Sequence, residues 1–440
     1  MTRNRLSQKL PRFPASNACQ LSLLTIGVLL TACDPKPPSA PPPTSPPATG
    51  EKAAAHAAHG AHHPSSGATG KTKREVIRTG VESLDVSQSG GTLLHLLVGR
   101  YDSATQPPVL EYLRSSDEGM TWSAPVRVDL GATAPHQPHR GQDAQIAASG
   151  DRLVTVWTSP GTGFNGRGPM ATAISDNGGK TWRPGPNPAD DGGQGDHSFV
   201  DIAADATGTF HLVWLDARGT NKAKGLRYAS SRDGGQTWSR NLTLEAETCE
   251  CCWNSLAIGS GGSLHVLFRD KNPRDMALVS SLDGGANWTA PVPVGRFNWD
   301  FQGCPHVGGG LLGTDGQVHA LVWTGAAGQS GAYHVHSSDR GRTWSAPQRL
   351  GDTDARRGDL ASASTGSLAA VWDRVADGES RIYAATSSDG GRTWSAPTAL
   401  SNPGVNAAYP RVVAVSGSYR VFWTESVPGQ PSAWRTAKLN

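Results

Sequence analysis

Short runs in which apolar and polar residues alternate recur along this 440-residue chain. Alternation with a period of two is typical of a β-strand with one buried face. Six of the seven runs end in a polar residue, and in chain order they are Leu93–Gly99, Leu153–Thr158, Phe210–Asp216, Leu264–Asp270, Val318–Thr324, Leu368–Asp373 and Tyr419–Thr424. Shorter runs rich in small residues precede them, for example Ala144–Ala148, Val200–Ala204 and Arg411–Val415.

A repeated turn motif follows the first six of these units, and its core is Ser-x-Asp-x-Gly-x-Thr-Trp. Its carboxylate can accept backbone N–H groups within its own turn, and its glycine supplies a positive φ. The turns lack the further carboxylates of a calcium loop, so we interpret them as structural. The Asp position is occupied by Asp117, Asn177, Asp233, Asp283, Asp339 and Asp389. The motif tryptophans are 60, 56, 50, 56 and 50 residues apart, which indicates a repeat protein.

The motif is identified as the Asp-box, or bacterial neuraminidase repeat, and the resemblance covers residues 75–440. It implies an all-β fold, a β-propeller of four-stranded blades in the sialidase-like superfamily. It implies little about activity, because Asp-box propellers include sialidases, other glycosidases, sorting receptors and photosystem assembly factors.

The units number seven although the motifs number six, and we therefore predict seven blades, with six as the alternative. The last unit shows only three strands, the third around Ala433–Leu439. Glu75–Thr79 is predicted to supply the missing outer strand, which would join the two ends of the chain and remove an open sheet edge. These limits define a propeller domain over residues 74–440.

The N-terminal region predicts export and lipid attachment. A basic start and the apolar stretch Leu21–Leu30 precede Leu30-Thr31-Ala32-Cys33, which resembles a bacterial lipobox. The resemblance implies a lipoprotein signal peptide over residues 1–32 and lipidation at Cys33. Residues 33–73 are rich in Pro, Ala and His and are predicted to be a disordered tether. We expect a membrane-anchored protein of the bacterial cell envelope, on the outer membrane or the periplasmic face of the inner membrane.

Charge argues against nucleic-acid binding. The chain has 40 basic and 37 acidic residues, and four of the basic residues but none of the acidic ones lie in the predicted signal peptide. The mature chain is therefore nearly neutral, whereas nucleic-acid binding domains carry a basic patch.

Four cysteines remain beyond Cys33, and they form the most unusual cluster. Cys249, Cys251 and Cys252 lie in one short run, and Cys304 follows Cys252 by 52 residues, about one repeat. The spacing predicts that Cys252 and Cys304 are neighbours on adjacent blades. Disulfides are the usual state in an exported protein. The alternative is a zinc or copper site that includes His306 or His197.

A sialidase-type site is the competing interpretation of the residues that precede the inner strands. A sialidase needs three arginines for the substrate carboxylate, a tyrosine nucleophile and an acid. The candidates are Arg140, Arg357, Arg411, Tyr409 and Asp143. The arginine motif of the family is absent, and no glutamate is evidently placed to activate the tyrosine.

We therefore expect a ligand-binding or assembly module with a glycan, a protein or a metal as its ligand. An exo-α-sialidase-type glycoside hydrolase is the alternative function.

Overall fold

The alternating runs form the second strand of seven antiparallel sheets in the computed structural model. The structure describes residues 79–440 apart from 104–105, 138–140, 194, 219–222, 315 and 365, so the predicted signal peptide, Cys33 and the tether lie outside the described residues. Within each sheet the strands are hydrogen-bonded in their order along the chain. Each repeat is thus a simple meander, the blade of a propeller.

Blades 1 to 4 have four strands each. Their bounds are β1 (Gly80–Ser89), β2 (Leu93–Tyr101), β3 (Val109–Ser115) and β4 (Val126–Arg127); β5 (Gln145–Ser149), β6 (Arg152–Pro160), β7 (Arg167–Ser175) and β8 (Arg183–Gly185); β9 (Ser198–Ala204), β10 (Phe210–Ala217), β11 (Lys224–Ser231) and β12 (Leu242–Glu245); β13 (Ser255–Ile258), β14 (Leu264–Arg269), β15 (Met276–Ser281) and β16 (Val292–Val294).

Blades 5 and 6 also have four strands, and blade 7 has three among the described residues. Their bounds are β17 (Gly310–Gly313), β18 (Val318–Thr324), β19 (Gly331–Ser337) and β20 (Gln348–Gly351); β21 (Ala355–Ser364), β22 (Ser367–Ala376), β23 (Glu379–Ser387) and β24 (Thr398–Ala399); β25 (Asn406–Val415), β26 (Ser418–Ser426) and β27 (Ala433–Leu439). Two 3-10 turns lie at Phe164–Gly166 and Ser260–Gly262. In the described part of the chain, no helix is long and apolar enough to span a bilayer.

The first strands of the blades contact one another in a closed ring. The sequence of contacts runs β1, β5, β9, β13, β17, β21, β25 and back to β1. The predicted seven-bladed propeller is confirmed, and the six-bladed alternative is wrong.

One position recurs in each inner strand, and in five of the seven blades its residue lines the cavity at the centre of this ring. These positions have equivalent partners in the second strands, and in blade order they are Asp85, Gln145, Asp201, Ser255, Gly310, Asp359 and Arg411. All three aspartates of this set accept a backbone N–H from the next blade: Asp85 from Ile146 at 2.9 Å, Asp201 from Leu256 at 2.7 Å and Asp359 from Val412 at 3.0 Å. The ring surrounds a polar cavity of about 240 Å³. The channel is thus held by side chain to backbone bonds between blades.

The Asp-box turns are held by hydrogen bonds within each turn. In blade 5, the Ser337 hydroxyl donates to Asp339 at 2.7 Å and accepts the Gly341 N–H at 2.8 Å. Asp339 also accepts the backbone N–H and the hydroxyl of Thr343, at 2.8 and 2.6 Å. Asn177 holds the same place in blade 2, with its amide donating to the Thr181 hydroxyl at 2.7 Å.

The motif tryptophans join each blade to the preceding one. Trp182 of blade 2 meets Tyr112 of blade 1 edge to face at 5.4 Å, and Trp288 of blade 4 meets Tyr228 of blade 3 at 5.0 Å. The motif glycine must lack a side chain here, because a Cβ on Gly285 would overlap the Tyr228 ring. The turn motif therefore also determines the spacing between blades.

The ring is completed where blade 1 meets blade 7. The ring of Trp122 in the first Asp-box packs edge to face on the rings of Phe422 and Trp434 of blade 7, with 5.8 and 5.4 Å between ring centroids. The Val81 N–H donates to the Ser432 carbonyl at 2.9 Å, and the Ser432 N–H donates to the Thr79 carbonyl at 3.1 Å. Residues 75–78 of the predicted closing strand lie outside the described residues.

Acid is expected to weaken the Asp-box turns. Hydrogen bonds, led by the threonine hydroxyl, lower the pKa of Asp117, Asp339 and Asp389 to about 2 from the usual 3.8. Each carboxylate contributes its full stabilisation at a pH above 3.8, the pKa in the unfolded chain. That contribution is lost as the pH falls towards the folded-state pKa of about 2. A variant with these three aspartates changed to Asn, as at Asn177, should lose less thermal stability over this interval than the wild type. The control is Asp377→Asn, which changes an exposed aspartate outside the Asp-boxes. If the triple variant loses as much thermal stability between these pH values as the control does, the expectation is wrong.

Ring closure predicts that the first residues of β1 are needed for stability. A chain beginning at Glu82 loses both hydrogen bonds to Ser432 and the buried Val81 side chain. At about 1 kcal/mol for each hydrogen bond, its free energy of unfolding should fall by at least about 2 kcal/mol relative to a chain beginning at Lys73. Denaturant unfolding followed by tryptophan fluorescence measures the difference, and equal midpoints would contradict the closure.

Candidate functional site

Most of the candidate residues lie at or just before the start of the inner strands, on what we call the mouth face of the propeller. The segment from Cys249 to Asn254 directly precedes β13 of blade 4, and the segment from Gly303 to Gly309 directly precedes β17 of blade 5. The β13 and β17 strands are in contact, so these two segments belong to adjacent blades.

Five cysteine and histidine residues form one cluster on these segments. The Cys249 sulfur lies 3.6 Å from that of Cys251 and 3.4 Å from that of Cys252. The Cys251 sulfur also lies within 4.8 Å of the Cys304 sulfur and of a ring nitrogen of His306. The three cysteines of blade 4 are buried, whereas Cys304 and His306 are exposed. We call these five residues the cysteine–histidine cluster.

The residue that contacts the neighbouring blade differs from the expected one. Spacing along the repeat predicts that Cys252 lies beside Cys304, but the structure brings Cys251 to that position. The Cys249–Cys252 segment is a turn centred on residues 250 and 251, and its Cys249 N–H donates to the Arg269 carbonyl at 2.9 Å. Within a turn, distance along the chain no longer determines which side chain faces the next blade.

All four cysteines are unpaired in this structure. A disulfide bond is about 2.05 Å long, much shorter than the distances between these sulfurs. Two sulfur ligands of one tetrahedral zinc ion, each at about 2.3 Å, lie roughly 3.8 Å apart. The sulfurs of blade 4 are therefore close to the separation that a shared metal ion requires.

Arg269 is a buried cation beside the cysteines. Its guanidinium donates to the carbonyls of Val307, Arg274 and Trp323, at 3.1, 2.6 and 2.9 Å. Among the residues that the structure describes, it forms no ion pair with a carboxylate. Hydrogen bonding with Cys251 and Cys252 lowers the pKa of Cys249, and the Arg269 charge acts in the same direction. The pKa of Cys251 is raised, mainly by its hydrogen bond with Cys249, and that of Cys252 is raised by burial. A thiolate or a metal–thiolate group would balance this buried charge.

Arg167 is a second buried cation, located near the exposed part of the cluster. It stacks on the rings of Phe164 and Phe199, at 5.3 and 5.4 Å. Its Nε donates to the Phe164 carbonyl at 3.0 Å and lies 3.6 Å from Asp196, whereas its Nη1 has no hydrogen-bond partner among the described residues. Burial lowers the pKa of Arg167, while the charges of Asp196, Cys251 and Cys304 oppose that change.

Sequence reasoning missed both arginines. Arg269 ends an apolar strand, and a charged residue at the end of such a strand predicts a buried charge with partners in the protein. Arg167 follows a loop in blade 2 and carries no comparable signal.

His197 does not belong to the cluster, contrary to one of the predicted ligand sets. Its Nδ1 accepts the Met170 N–H at 3.2 Å, so its proton lies on Nε2, which donates to Asp191 at 2.8 Å. Both ring nitrogens are therefore in use. An Asp216 carboxylate oxygen lies 3.9 Å from the His197 Nε2, and the same carboxylate forms ion pairs with Arg218 and Arg227. The group of Asp191, His197 and Asp216 therefore offers no open metal site.

The sialidase-type candidates divide between two places. Arg357 stacks on the Tyr409 ring at 4.3 Å and pairs with Asp373 at 3.1 Å. Asp373 also accepts the Tyr409 N–H at 3.1 Å, which holds Tyr409 at a φ of 60°. This guanidinium already has a carboxylate partner within the protein.

Arg411 points into the channel instead. It pairs with Asp85 at 3.1 Å, lies 3.7 Å from Asp143 and donates to Gln145 at 2.9 Å. Asp143 in turn accepts the Gly141 N–H at 2.7 Å. Arg140 lies outside the described residues. Each described arginine of the proposed triad therefore has its own internal carboxylate.

A family model described as a BNR repeat-like domain matches residues 66–248. No curated protein matches the sequence significantly. An ulvan lyase of polysaccharide lyase family PL25 is similar in structure, with a TM-score of 0.54 and 12% identity over 82% of this chain and 94% of that chain.

Two sialidases are more distant in structure. A Hadza microbial sialidase has a TM-score of 0.46 and 16% identity, over 80% of this chain and 74% of that chain. The NanB sialidase from Streptococcus pneumoniae has a TM-score of 0.46 and 12% identity, over 84% of this chain and 70% of that chain. The chain is thus a seven-bladed β-propeller whose residues 66–248 match the BNR repeat-like family model.

Proposed function

We propose that this propeller is a metal-binding module of the bacterial envelope that holds a thiophilic ion, copper(I) or zinc, in the cysteine–histidine cluster. The observation that carries the proposal is the convergence of four thiols and one imidazole from two adjacent blades. Thiolate and imidazole ligands favour copper(I) and zinc over magnesium or calcium, which prefer oxygen ligands.

The buried positive charge of Arg269 supports a charged metal–thiolate group. The buried Arg269 has no carboxylate partner within the described residues, and it lies beside Cys249 and Cys252. One of its three hydrogen bonds is to the carbonyl of Val307, directly after His306. The same residue thus supplies positive charge and fixes the loop that carries the exposed ligands.

The lipobox-like sequence at Cys33 supports an envelope location with a membrane anchor. Thiols in an oxidising compartment tend to form disulfides, and a bound metal ion would keep them from pairing. A protein that delivers or receives the metal is the partner that this role requires.

Metal content tests the proposal directly. The full mature chain should be purified anaerobically, with His56, His59, His62 and His63 of the tether changed to Ala so that they bind no metal. We expect at least one equivalent of copper or zinc, and Cys251→Ser should lower it at least tenfold because Cys251 belongs to both groups of ligands. Elemental analysis gives the ratio of metal to protein.

The matched control is His336→Ala, a histidine in β19 of blade 5 outside the cluster, which should retain the wild-type metal content. A thiol titration of the denatured protein separates the alternatives. Absence of metal together with absence of free thiols would establish disulfides and end the proposal.

Sialoside hydrolysis is not expected from this arrangement. Arg357 and Arg411 are each paired with a carboxylate of the protein, so neither is free to bind the carboxylate of a sialic acid. The full chain should release no 4-methylumbelliferone from its sialoside above the level of the Tyr409→Phe variant. Release that Tyr409→Phe abolishes would instead establish the sialidase function.

A further inference from the structure

We infer that the cluster binds two copper(I) ions that share the Cys251 thiolate as a bridging ligand. One ion lies inside, among Cys249, Cys251 and Cys252, and the other lies outside, among Cys251, Cys304 and His306. This inference rests on the proposed metal-binding function and specifies its metal, its stoichiometry and the arrangement of its ligands.

Distances between the ligand atoms separate two positions. Within each group of three residues, all ligand atoms lie within 4.8 Å of one another, but the five residues do not form one such group. Two sulfur ligands of a single ion, each about 2.3 Å from the metal, are at most about 4.6 Å apart. One ion therefore cannot contact all five residues, whereas two ions can do so through Cys251.

Charge indicates monovalent ions. Four thiolates carry four negative charges, and Arg269 and Arg167 offset two of them. Asp196 lies 3.6 Å from Arg167 and 2.9 Å from Lys224, so its one negative charge is offset by one of these two cations and the balance is unchanged. The two remaining charges match two copper(I) ions, since buried charge is costly unless it is balanced. One zinc ion would also balance them but would fill only one position, and two zinc ions would leave an excess of positive charge.

Exposure makes the two positions unequal. The ligands of the inner ion are all buried, with 1% exposure for Cys249, 5% for Cys251 and 1% for Cys252. The outer ion has two exposed ligands, Cys304 and His306. Solvent and a partner protein can therefore reach the outer ion, and an ion that arrives there can move inward by exchanging ligands around the shared Cys251. The inner ion should leave more slowly than the outer one.

Anaerobic titration of the full chain with copper(I) against a chromogenic chelator tests the inference. The tether histidines are changed to Ala as above. We expect two equivalents per chain, one lost quickly and one slowly when excess chelator is added. His306→Ala removes an exposed ligand and should lower the stoichiometry to one, leaving only the slow phase. Cys251→Ser should lose both ions, and His336→Ala should keep two.

The possible outcomes separate this inference from the proposed function. If wild-type chain binds one ion, or if His306→Ala still binds two, the shared site is wrong while metal binding stands. Absence of bound metal would overturn both. Because Cys251 is buried, circular dichroism is needed to check that Cys251→Ser is folded. If it is not, the His306→Ala variant, which changes an exposed residue, decides the stoichiometry.

Discussion

The contact between each blade and the next is the interaction on which the rest of this structure depends. A single four-stranded sheet cannot bury both of its faces, so each blade is stable only against its neighbours. The Asp-box tryptophan supplies one part of that contact, as where Trp182 meets Tyr112 across two blades. The aspartates of the inner strands supply another, since Asp201 bonds the backbone of the following blade. A ring of such contacts must close, and it does so where Trp122 meets Phe422 and Trp434.

The candidate site follows from the same constraint. Blades 4 and 5 are held side by side, so the segments before their inner strands share one place on the mouth face. Arg269 reaches from the second strand of blade 4 to the carbonyls of Val307 and Trp323 in blade 5. It thereby joins the scaffold to the segment that carries Cys304 and His306. Ligands on two rigid blades, with loops fixed by a buried arginine, are suited to hold a metal without rearrangement.

The channel and the mouth face have different chemistry. Around the channel, carboxylates bond backbone groups and Arg411, and they stabilise the ring. Near Tyr409, the guanidinium of Arg357 is paired with Asp373. In each of these places a charged residue has its partner within the protein. The cysteine–histidine cluster is different, because Arg269 beside it forms no ion pair with a carboxylate among the described residues. The Nη1 of Arg167 also has no hydrogen-bond partner there, although its Nε lies 3.6 Å from Asp196.

Much of the fold was predictable from sequence because its signals are local and repeated. Alternation along Leu264–Asp270 and the Ser337–Trp344 turn depends on hydrogen bonds and burial within one blade, so each copy can be recognised by itself. The seven alternating units then predicted the number of blades, and the repeat length predicted that blades 4 and 5 are adjacent at Cys252 and Cys304. Spacing failed within the Cys249–Cys252 turn, where Cys251 rather than Cys252 faces Cys304.

The sequence by itself thus determined the type of fold, the seven blades and the residues that could bind metal. Only the tertiary structure decided which of them meet, because side-chain direction in a turn depends on contacts with other blades. It showed that His197 is already engaged by Asp191 and the Met170 backbone. It also placed Arg167, the first residue of β7 in blade 2, where the charges of Cys251 and Cys304 from blades 4 and 5 act on it, and no local pattern in the chain encodes this arrangement.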